Sequence, residues 1–446
     1  MASSKPILSD ELRKHYEENG VAKIDSFLNE SANVTQKSDD SIPETTRFVR
    51  LNPRFDRKQS LELLKREVEN VGEVVEVPWL PDNFGFYAIH SSFSLASSES
   101  FSSGKVYGMD VSSGAAVAVL LMNVFDVSKK YDDSTDSISN IRVLDLCCAP
   151  CLKTCAIADI LEEKVGISST VVGVDISEKR LQLGRNIIRK YHIDCDTSGR
   201  KDDIEPSNIT IRLFNTDGTT FGSTLSREKD IQSLVFDSNV AKEQQSNAGK
   251  RKRQNKSAKA REKKMLKTVS ASVFKADNEK SVDSTKDEGK SLDLCIDQFD
   301  YVLVDAECST DGALRHLQHK VIQSTKNNVP LDDKVANNSK LTDPTKIKEL
   351  VGLQKKLIKS GFRLLKQGGT MIYSTCSMDQ EQNENVVRTL LQEFKGQVEI
   401  VPLSFDDISE NMICEGNLQG TIRFRPSTTN DLFGGGFFMA KLRRIK

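Results

Sequence analysis

The sequence predicts an α/β protein built on a doubly wound, mostly parallel sheet, and three observations carry that prediction. From about Tyr107, short apolar runs alternate with helical stretches, the pattern of parallel strands joined by crossover helices. Val143 to Thr154 reads as strand, tight turn and helix, the arrangement that turns backbone N–H groups toward a ligand at a sheet's switch point. Two further strands, Tyr301–Asp305 and Thr370–Tyr373, run out within a few residues into Cys308 and Cys376. Both thiols thus fall at carboxyl ends of strands, where open α/β sheets build their sites.

In chain order, Ser9 to Gly20 reads as an amphipathic helix, and a Ser/Asn/Asp-rich linker reaches about residue 45. A small domain over 46–105 follows with a β-α-β pattern: strand Arg47–Asn52, helix Ser60–Val68 carrying Leu61, Leu63, Leu64 and Val68, and a strand from Gly72 to Leu80. The main domain, 106–446, opens with a small-residue helix between Met109 and Phe125. Its expected strands are Val143–Cys147, Thr170–Asp175, Ile209–Asn215, Tyr301–Asp305, Thr370–Tyr373, Val398–Val401 and Phe437–Leu442. After Cys376, Ser377 with Gln380 forms a capping-box pattern ahead of Val386, Val387, Leu390 and Leu391, so a helix is expected at once. Two polar stretches, about 221–294 and 323–344, lack sustained periodicity apart from a basic helical pattern near Ala258 to Leu266, and read as surface insertions.

Composition narrows the function. The formal net charge is only −1, so any nucleic-acid affinity must come from local cations rather than a global field. Arg50, Arg54, Arg57, Lys58, Lys105, Arg423 and Arg425 are the candidates for phosphate contact. The run Lys250–Lys267 reads as a nuclear-targeting signal or a phosphate-binding arm. No stretch is apolar enough to span a bilayer, and the N-terminus lacks a signal peptide's apolar core. The chain is therefore expected inside the cell, neither secreted nor in a membrane. Nine cysteines, an odd number, point to free thiols in a reducing compartment. His316 and His319, without acidic or thiol neighbours, read as surface residues and not as metal ligands.

Two thiols at strand ends of one sheet suggest covalent chemistry on an electrophilic carbon; the plainer alternative is two inert core cysteines. In the other half, the turn Cys147–Leu152 offers backbone N–H groups, Asp175 at a strand end can accept both ribose hydroxyls of an adenosine, and Asp217 is placed to reach the adenine edge. Cys147, Cys148, Cys151 and Cys155 leave open a thiolate metal cluster, which their positions on a strand end and a helix turn oppose.

These motifs, in this order, resemble the Sun-type family (Fmu/Sun, nucleolar-protein-like) of S-adenosylmethionine-dependent RNA cytosine carbon-5 methyltransferases, from about Thr46 onward except for the two insertions. Arg47–Asn52 resembles the opening strand of the family's small N-terminal domain, and Gly104–Ser113 the segment before its catalytic sheet. Asp145 to Thr154 resembles the methionine-binding loop, which puts Cys147, Cys148, Ala149, Pro150, Cys151, Leu152 and Lys153 at the cofactor. Asp175 and Asp217 match the ribose and adenine positions, and Arg180 falls in the helix start that follows. Asp305–Ser309 resembles the Asp-x-Pro-Cys-Ser motif, Ser374–Ser377 the nucleophile's Thr-Cys-Ser motif, and Gly436–Lys441 the closing strand.

The resemblance implies a class-I, Rossmann-like methyltransferase sheet with a small α+β N-terminal domain, using S-adenosyl-L-methionine on tRNA or rRNA. Cys376 would be the nucleophile on carbon-6, and Cys308 would assist release of the adduct. Asp305 would hold the base's amino edge and ring nitrogen beside the cofactor, and Lys153 would lie near the target nucleotide. The base must be splayed from its stack. A nuclear or nucleolar location is expected, with the cytoplasm as alternative. Competing readings are a DNA or small-molecule methyltransferase and a non-catalytic RNA-binding scaffold. Three residues depart from the family pattern. Cys151 and Leu152 stand where it has glycines, which approach a ligand closely and take positive φ. Glu307 stands where it has proline, and a carboxylate beside a thiol disfavours the thiolate.

Overall fold

The computed structural model describes residues 8–19, 21, 24–25, 28, 46–80, 84–122, 124, 141–165, 168–193, 209–223, 225–247, 261, 264–269, 299–314, 317, 320–321, 324, 343–403, 413–426 and 435–446. Its principal elements are α1 (Asp10–Glu18), β1 (Thr46–Leu51), α2 (Arg57–Val68), β2 (Val75–Glu76), β3 (Phe86–His90), β4 (Val106–Gly108), α3 (Val111–Leu121), β5 (Ile141–Asp145), α4 (Leu152–Val165), β6 (Ser169–Asp175), α5 (Glu178–Ile188), β7 (Ile209–Asn215), β8 (Leu234–Asp237), α6 (Ser238–Asn247), β9 (Phe299–Asp305), α7 (Pro344–Leu364), β10 (Leu365–Thr375), α8 (Glu384–Glu393), β11 (Val398–Ile400), β12 (Ile413–Glu415), β13 (Ile422–Phe424) and β14 (Phe437–Arg444). They fall into two compact units: residues 1–119, 306–355 and 372–442, and residues 120–305, 356–371 and 443–446. The basic run Lys250–Lys267 lies mostly outside the described residues, although Arg261 and residues 264–269 are helical. The second insertion lies almost wholly outside them, as do His316 and His319.

In the first unit, β2-β3-β1-β4 form an antiparallel sheet in which Phe48 sits opposite Ala88 and Arg50 opposite Tyr107. Asp56 caps α2 by accepting from Gln59 N–H at 2.8 Å, and the helix lays Leu64 and Val68 on Val49, Leu51, Tyr87 and Ile89. Each such side chain, fully buried, contributes roughly 1.5–3 kcal/mol. The expected strand from Gly72 to Leu80 shrinks to Val75–Glu76, since Pro78 has no N–H for a ladder. β3 and β4 supply the pairing instead.

The same unit contains α1, where Ser9 accepts from Leu12 N–H as N-cap. Leu8, Leu12 and Tyr16, four residues apart, form one apolar face. With Val21, Ile24 and Leu28 they are buried against Leu314, Leu317, Val321 and Met378. The stretch expected to be a polar linker thus begins with three core residues. At the other end of the unit the strand order is β12-β13-β14-β10, with β12/β13 and β13/β14 antiparallel.

The second unit holds the order β10-β9-β5-β6-β7-β8. β9/β5, β5/β6 and β6/β7 are parallel, as expected, whereas β7/β8 is antiparallel, so the sheet is mixed. β6 is buried along its whole length, which is why its sequence is continuously apolar rather than alternating. β8 and α6 occupy the start of the expected larger insertion. Among the described residues of β8 and α6 the buried apolar anchors are Leu234, Phe236, Val240 and Ala241, too few to show a period amid polar residues. No described helix is long and apolar enough to cross a membrane.

Candidate active site

The second unit presents an acidic, amide-lined turn. Past the end of β5, Leu146 N–H donates to Leu303 O at 2.9 Å and Cys148 N–H to Val174 O at 3.1 Å. These bonds carry the ladder into the loop that leads to α4. Asp175, at the end of β6 and 6% exposed, braces the loop. It accepts from Ala149 N–H at 3.1 Å and from Ser177 N–H at 2.8 Å. Arg180, in the first turn of α5, donates to Ala149 O and stands 4.0 Å from Asp175. Asp217 is half-buried past β7 and accepts from Thr219 N–H and hydroxyl at 2.9 and 2.8 Å. The expected cofactor residues Cys147 to Lys153, Asp175, Arg180 and Asp217 therefore lie at the carboxyl ends of β5, β6 and β7.

Cys151 has φ +74°, a left-handed conformation that costs a non-glycine residue roughly 1–2 kcal/mol. Its side chain is fully buried against Gly184 of α5, where an added Cβ would come within 2.4 Å of its sulfur. The loop thus keeps a glycine-like path with a cysteine in it, and the room comes from a glycine on the neighbouring helix. Leu152 simply opens α4. Burial, followed by nearby carboxylates, pushes the Cys147 thiol well up; burial and the adjacent Cys151 sulfur, 3.9 Å away, do the same for Cys148. Both are held as thiols at neutral pH. Among the described residues, no group of three or more His, Cys, Asp or Glu is placed to hold a metal.

Two acidic side chains flank the loop. Asp145 accepts from the Thr154 hydroxyl at 2.7 Å, while its other oxygen is buried without a hydrogen-bond partner. Burial pushes this carboxyl up to about 7, against the opposing pull of Thr154 and Lys153. Lys153 Nζ, on α4, donates to Asp305 at the end of β9 at 2.8 Å.

The first unit holds the two thiols. Ala306 N–H donates to Ser374 O at 3.1 Å, so the two cysteine segments leave the sheet side by side. Cys308 Sγ and Cys376 Sγ then lie 3.2 Å apart, with no disulfide between them. Cys308 is buried and Cys376 partly accessible. Gly312 N–H donates to Cys376 O at 3.0 Å, and Gly436 N–H to Gly312 O at 2.8 Å. Gln382 accepts from Ser309 N–H and donates to its hydroxyl, both at 3.0 Å. Gln354 donates to Glu307 O at 2.8 Å. Glu307 is exposed while Cys308 is buried, so the carboxylate that replaces proline sits on the solvent side of the segment.

The capping box expected after Cys376 does not form. Residues 377–379 are irregular and 380–383 form turns, and α8 starts at Glu384 behind Asn383. Ser377 instead bonds the Ser309 hydroxyl at 2.9 Å and accepts from Asp379 N–H. Competition from the second cysteine loop removes its capping partner. Three phosphate candidates are also corrected. Arg50 and Arg54 are 1% and 5% exposed, Arg50 lying over the Tyr107 ring. Arg423 is held by buried Glu384 and by Met378 O. Lys58 and Arg425 stay exposed, Lys105 is half-buried, and Arg57 pairs with Glu76 at 2.9 Å. Two residues that the sequence did not mark are Asp311 and His15. Asp311 follows Cys308 closely enough to have been suspected, whereas His15 lies 296 residues from its partner and carries no local signal.

The parallel strands with ligand-facing turns at their carboxyl ends are the fold of the class-I methyltransferases. The crystal structure of NSun6 from Pyrococcus horikoshii with SFG shares this fold, with a TM-score of 0.54 at 15% identity over 99% of both chains. Residues 238–443 match the model of the 16S rRNA methyltransferase RsmB/F family. Ribosomal RNA small subunit methyltransferase F of Aliivibrio salmonicida is 33% identical over 146 residues, and that of Klebsiella pneumoniae 32% identical over 148. The matched region is 33% of this chain and 26% of either relative, so the chain spans about a quarter of the length of these curated relatives.

Proposed function

We propose that the protein transfers a methyl group from S-adenosyl-L-methionine to carbon-5 of a cytosine in RNA through a covalent bond to Cys376. The observation that carries this reading is the pair of thiols, 3.2 Å apart and not joined in a disulfide, just past the ends of two neighbouring strands. Cytosine carbon-5 is a weak nucleophile. Addition of the Cys376 thiolate to carbon-6 makes carbon-5 enamine-like, and this is chemistry for which a partly accessible cysteine on a braced turn is suited. Asp305 holds the amino edge and ring nitrogen of the base, with Lys153 orienting that carboxylate through the 2.8 Å bond. Once carbon-5 carries its methyl group, its proton must leave before the bond to Cys376 can break. Cys308, beside Cys376, is the group assigned to that release.

The residues at the turn fit the cofactor. Asp175 keeps acceptor capacity for ribose hydroxyls beyond its two backbone bonds, and the orphaned oxygen of Asp145 suits a cationic amino group. Arg180 and the amides of Cys147 to Lys153 frame the same turn, and Asp217 takes the adenine side. When bound, S-adenosylmethionine supplies an electrophilic methyl on its sulfonium. The small antiparallel domain, with exposed Lys58, and exposed Arg425 are assigned to RNA phosphate. A tRNA or rRNA substrate and a nuclear site of action follow the same reading. RNA containing 5-azacytosine tests it: the wild type should give a denaturation-resistant protein–RNA adduct and Cys376→Ala none. An undiminished adduct with Cys376→Ala removes that residue from the role.

A further inference from the structure

We propose that His15, on the N-terminal helix α1, is a positioning residue for the two-thiol site and acts through Asp311. Asp311 is 1% exposed and gathers three donors: the Ser309 hydroxyl, Met378 N–H at 2.9 Å and His15 Nε2 at 2.8 Å. Ser309 directly follows Cys308, and Met378 is two residues past Cys376. The Ser309 and Ser377 hydroxyls are themselves 2.9 Å apart. One buried carboxylate therefore ties together the backbones that hold both sulfurs. Burial alone would push that carboxyl up. The hydrogen bond and charge of His15, with Ser309 and Met378, outweigh burial and hold it below the usual carboxylate range.

His15 is the cation donor in this set, and it comes from an element remote in sequence. Leu8, Leu12 and Tyr16 anchor its helix against Leu314, Leu317 and Met378, and Asn19 Nδ2 lies 3.5 Å from His15 Nδ1. The other ionisable groups around the tie are Tyr16, whose hydroxyl is pushed up by burial and by Asp311, Arg423, which donates to Met378 O and is paired with Glu384, and the two thiols. Glu18 on α1 and Glu415, Arg425 and Cys414 line the cavity of about 420 Å³ beside Ser377 and Met378. Loss of His15 leaves a buried carboxylate short of its charged partner, so its bonds to the two cysteine loops slacken.

The substrate readout below rests on the proposed cytosine chemistry; the alkylation readout does not. His15→Phe removes donor and charge, while His15→Gln keeps a donor without charge. In the purified 446-residue chain, Cys308 alkylation by iodoacetamide, read by peptide mass spectrometry, should be at least about fivefold faster in His15→Phe and within about twofold of wild type in His15→Gln. Adduct formation on 5-azacytosine RNA should slow by about tenfold or more in His15→Phe, as small misplacements of reacting groups do, with S-adenosylmethionine affinity unchanged. Wild-type alkylation in His15→Phe, or no rescue by His15→Gln, overturns the proposal. If His15→Phe does not fold, His15→Ala is read in its place against the same two rates, and wild-type alkylation there overturns the proposal. Faster Cys308 alkylation in His15→Phe with no adduct in any form would uphold the tie and reject the cytosine chemistry.

Discussion

Gly312 is the position where a single methyl group should do most damage. It lies between the two cysteine loops and the start of the closing strand, bonded to Cys376 O through its N–H and to Gly436 N–H through its carbonyl. A Cβ there would come 2.4 Å from Gly436 O, 2.8 Å from Gly436 C and 2.9 Å from Cys376 O. All three are backbone atoms, so no side chain can swing away, and the segments must part by several tenths of an ångström. Overpacking of this kind costs typically about 1–3 kcal/mol, and weakening the two hydrogen bonds adds about 1 kcal/mol each. Gly312→Ala should therefore lower stability by roughly 3–5 kcal/mol. Where the chain survives, Cys376 moves, and adduct formation falls by about a hundredfold. Gly352, in α7, is the control: nothing lies within 4 Å of its added Cβ. The same change there should stabilise by about 0.5–1 kcal/mol through the unfolded state. Urea unfolding of both variants, with adduct kinetics, makes the comparison. Equal stability for Gly312→Ala and wild type would refute the close-approach argument.

Other outcomes follow from the same geometry. Asp145 has a folded-state pKa of about 7, above its unfolded value of about 3.9, so the folded protein binds the extra proton between those values. Wild-type stability relative to Asp145→Asn should fall as pH rises from about 4 to 7, by a few kcal/mol in all, and level off above; pH-resolved urea unfolding with no difference in slope would contradict the burial argument. Gly184→Ala should destabilise by about 1–3 kcal/mol through its clash with the Cys151 sulfur. Cys151→Gly should restore most of that loss, a coupling above about 0.5 kcal/mol in a double-mutant cycle. Arg423→Met leaves Glu384 buried without its ion pair and should cost about 3–5 kcal/mol. Arg425→Met should leave melting unchanged and lower RNA affinity and its salt slope.

The second unit was legible because its strands are continuously apolar and end in turn residues: β6 and β7 match the expected spans almost to the residue. The antiparallel strands were harder. β3, β4, β8, β12 and β13 are only three to five residues long, too short to show a clear alternation, and each is fixed by pairing with a neighbouring strand. The thiols and the acidic loop were readable because each sits beside a local signal, a strand end or a tight turn. The charges were misjudged where burial reverses their meaning. Arg50 and Arg423 look like surface cations in the sequence, yet an aromatic ring and a buried glutamate hold them inside the first unit. The capping-box signature at Ser377 was outcompeted by a hydroxyl partner 68 residues away, which no window along the chain contains.

The central claim is that Cys376 makes cytosine carbon-5 reactive toward the methyl group. It is tested most directly by incubating the purified chain with S-adenosylmethionine carrying a labelled methyl and unmodified RNA, digesting the RNA to nucleosides and resolving them by mass spectrometry. The account predicts labelled 5-methylcytidine with the wild type and none with Cys376→Ala. Label in a different nucleoside, or 5-methylcytidine undiminished in Cys376→Ala, would contradict it.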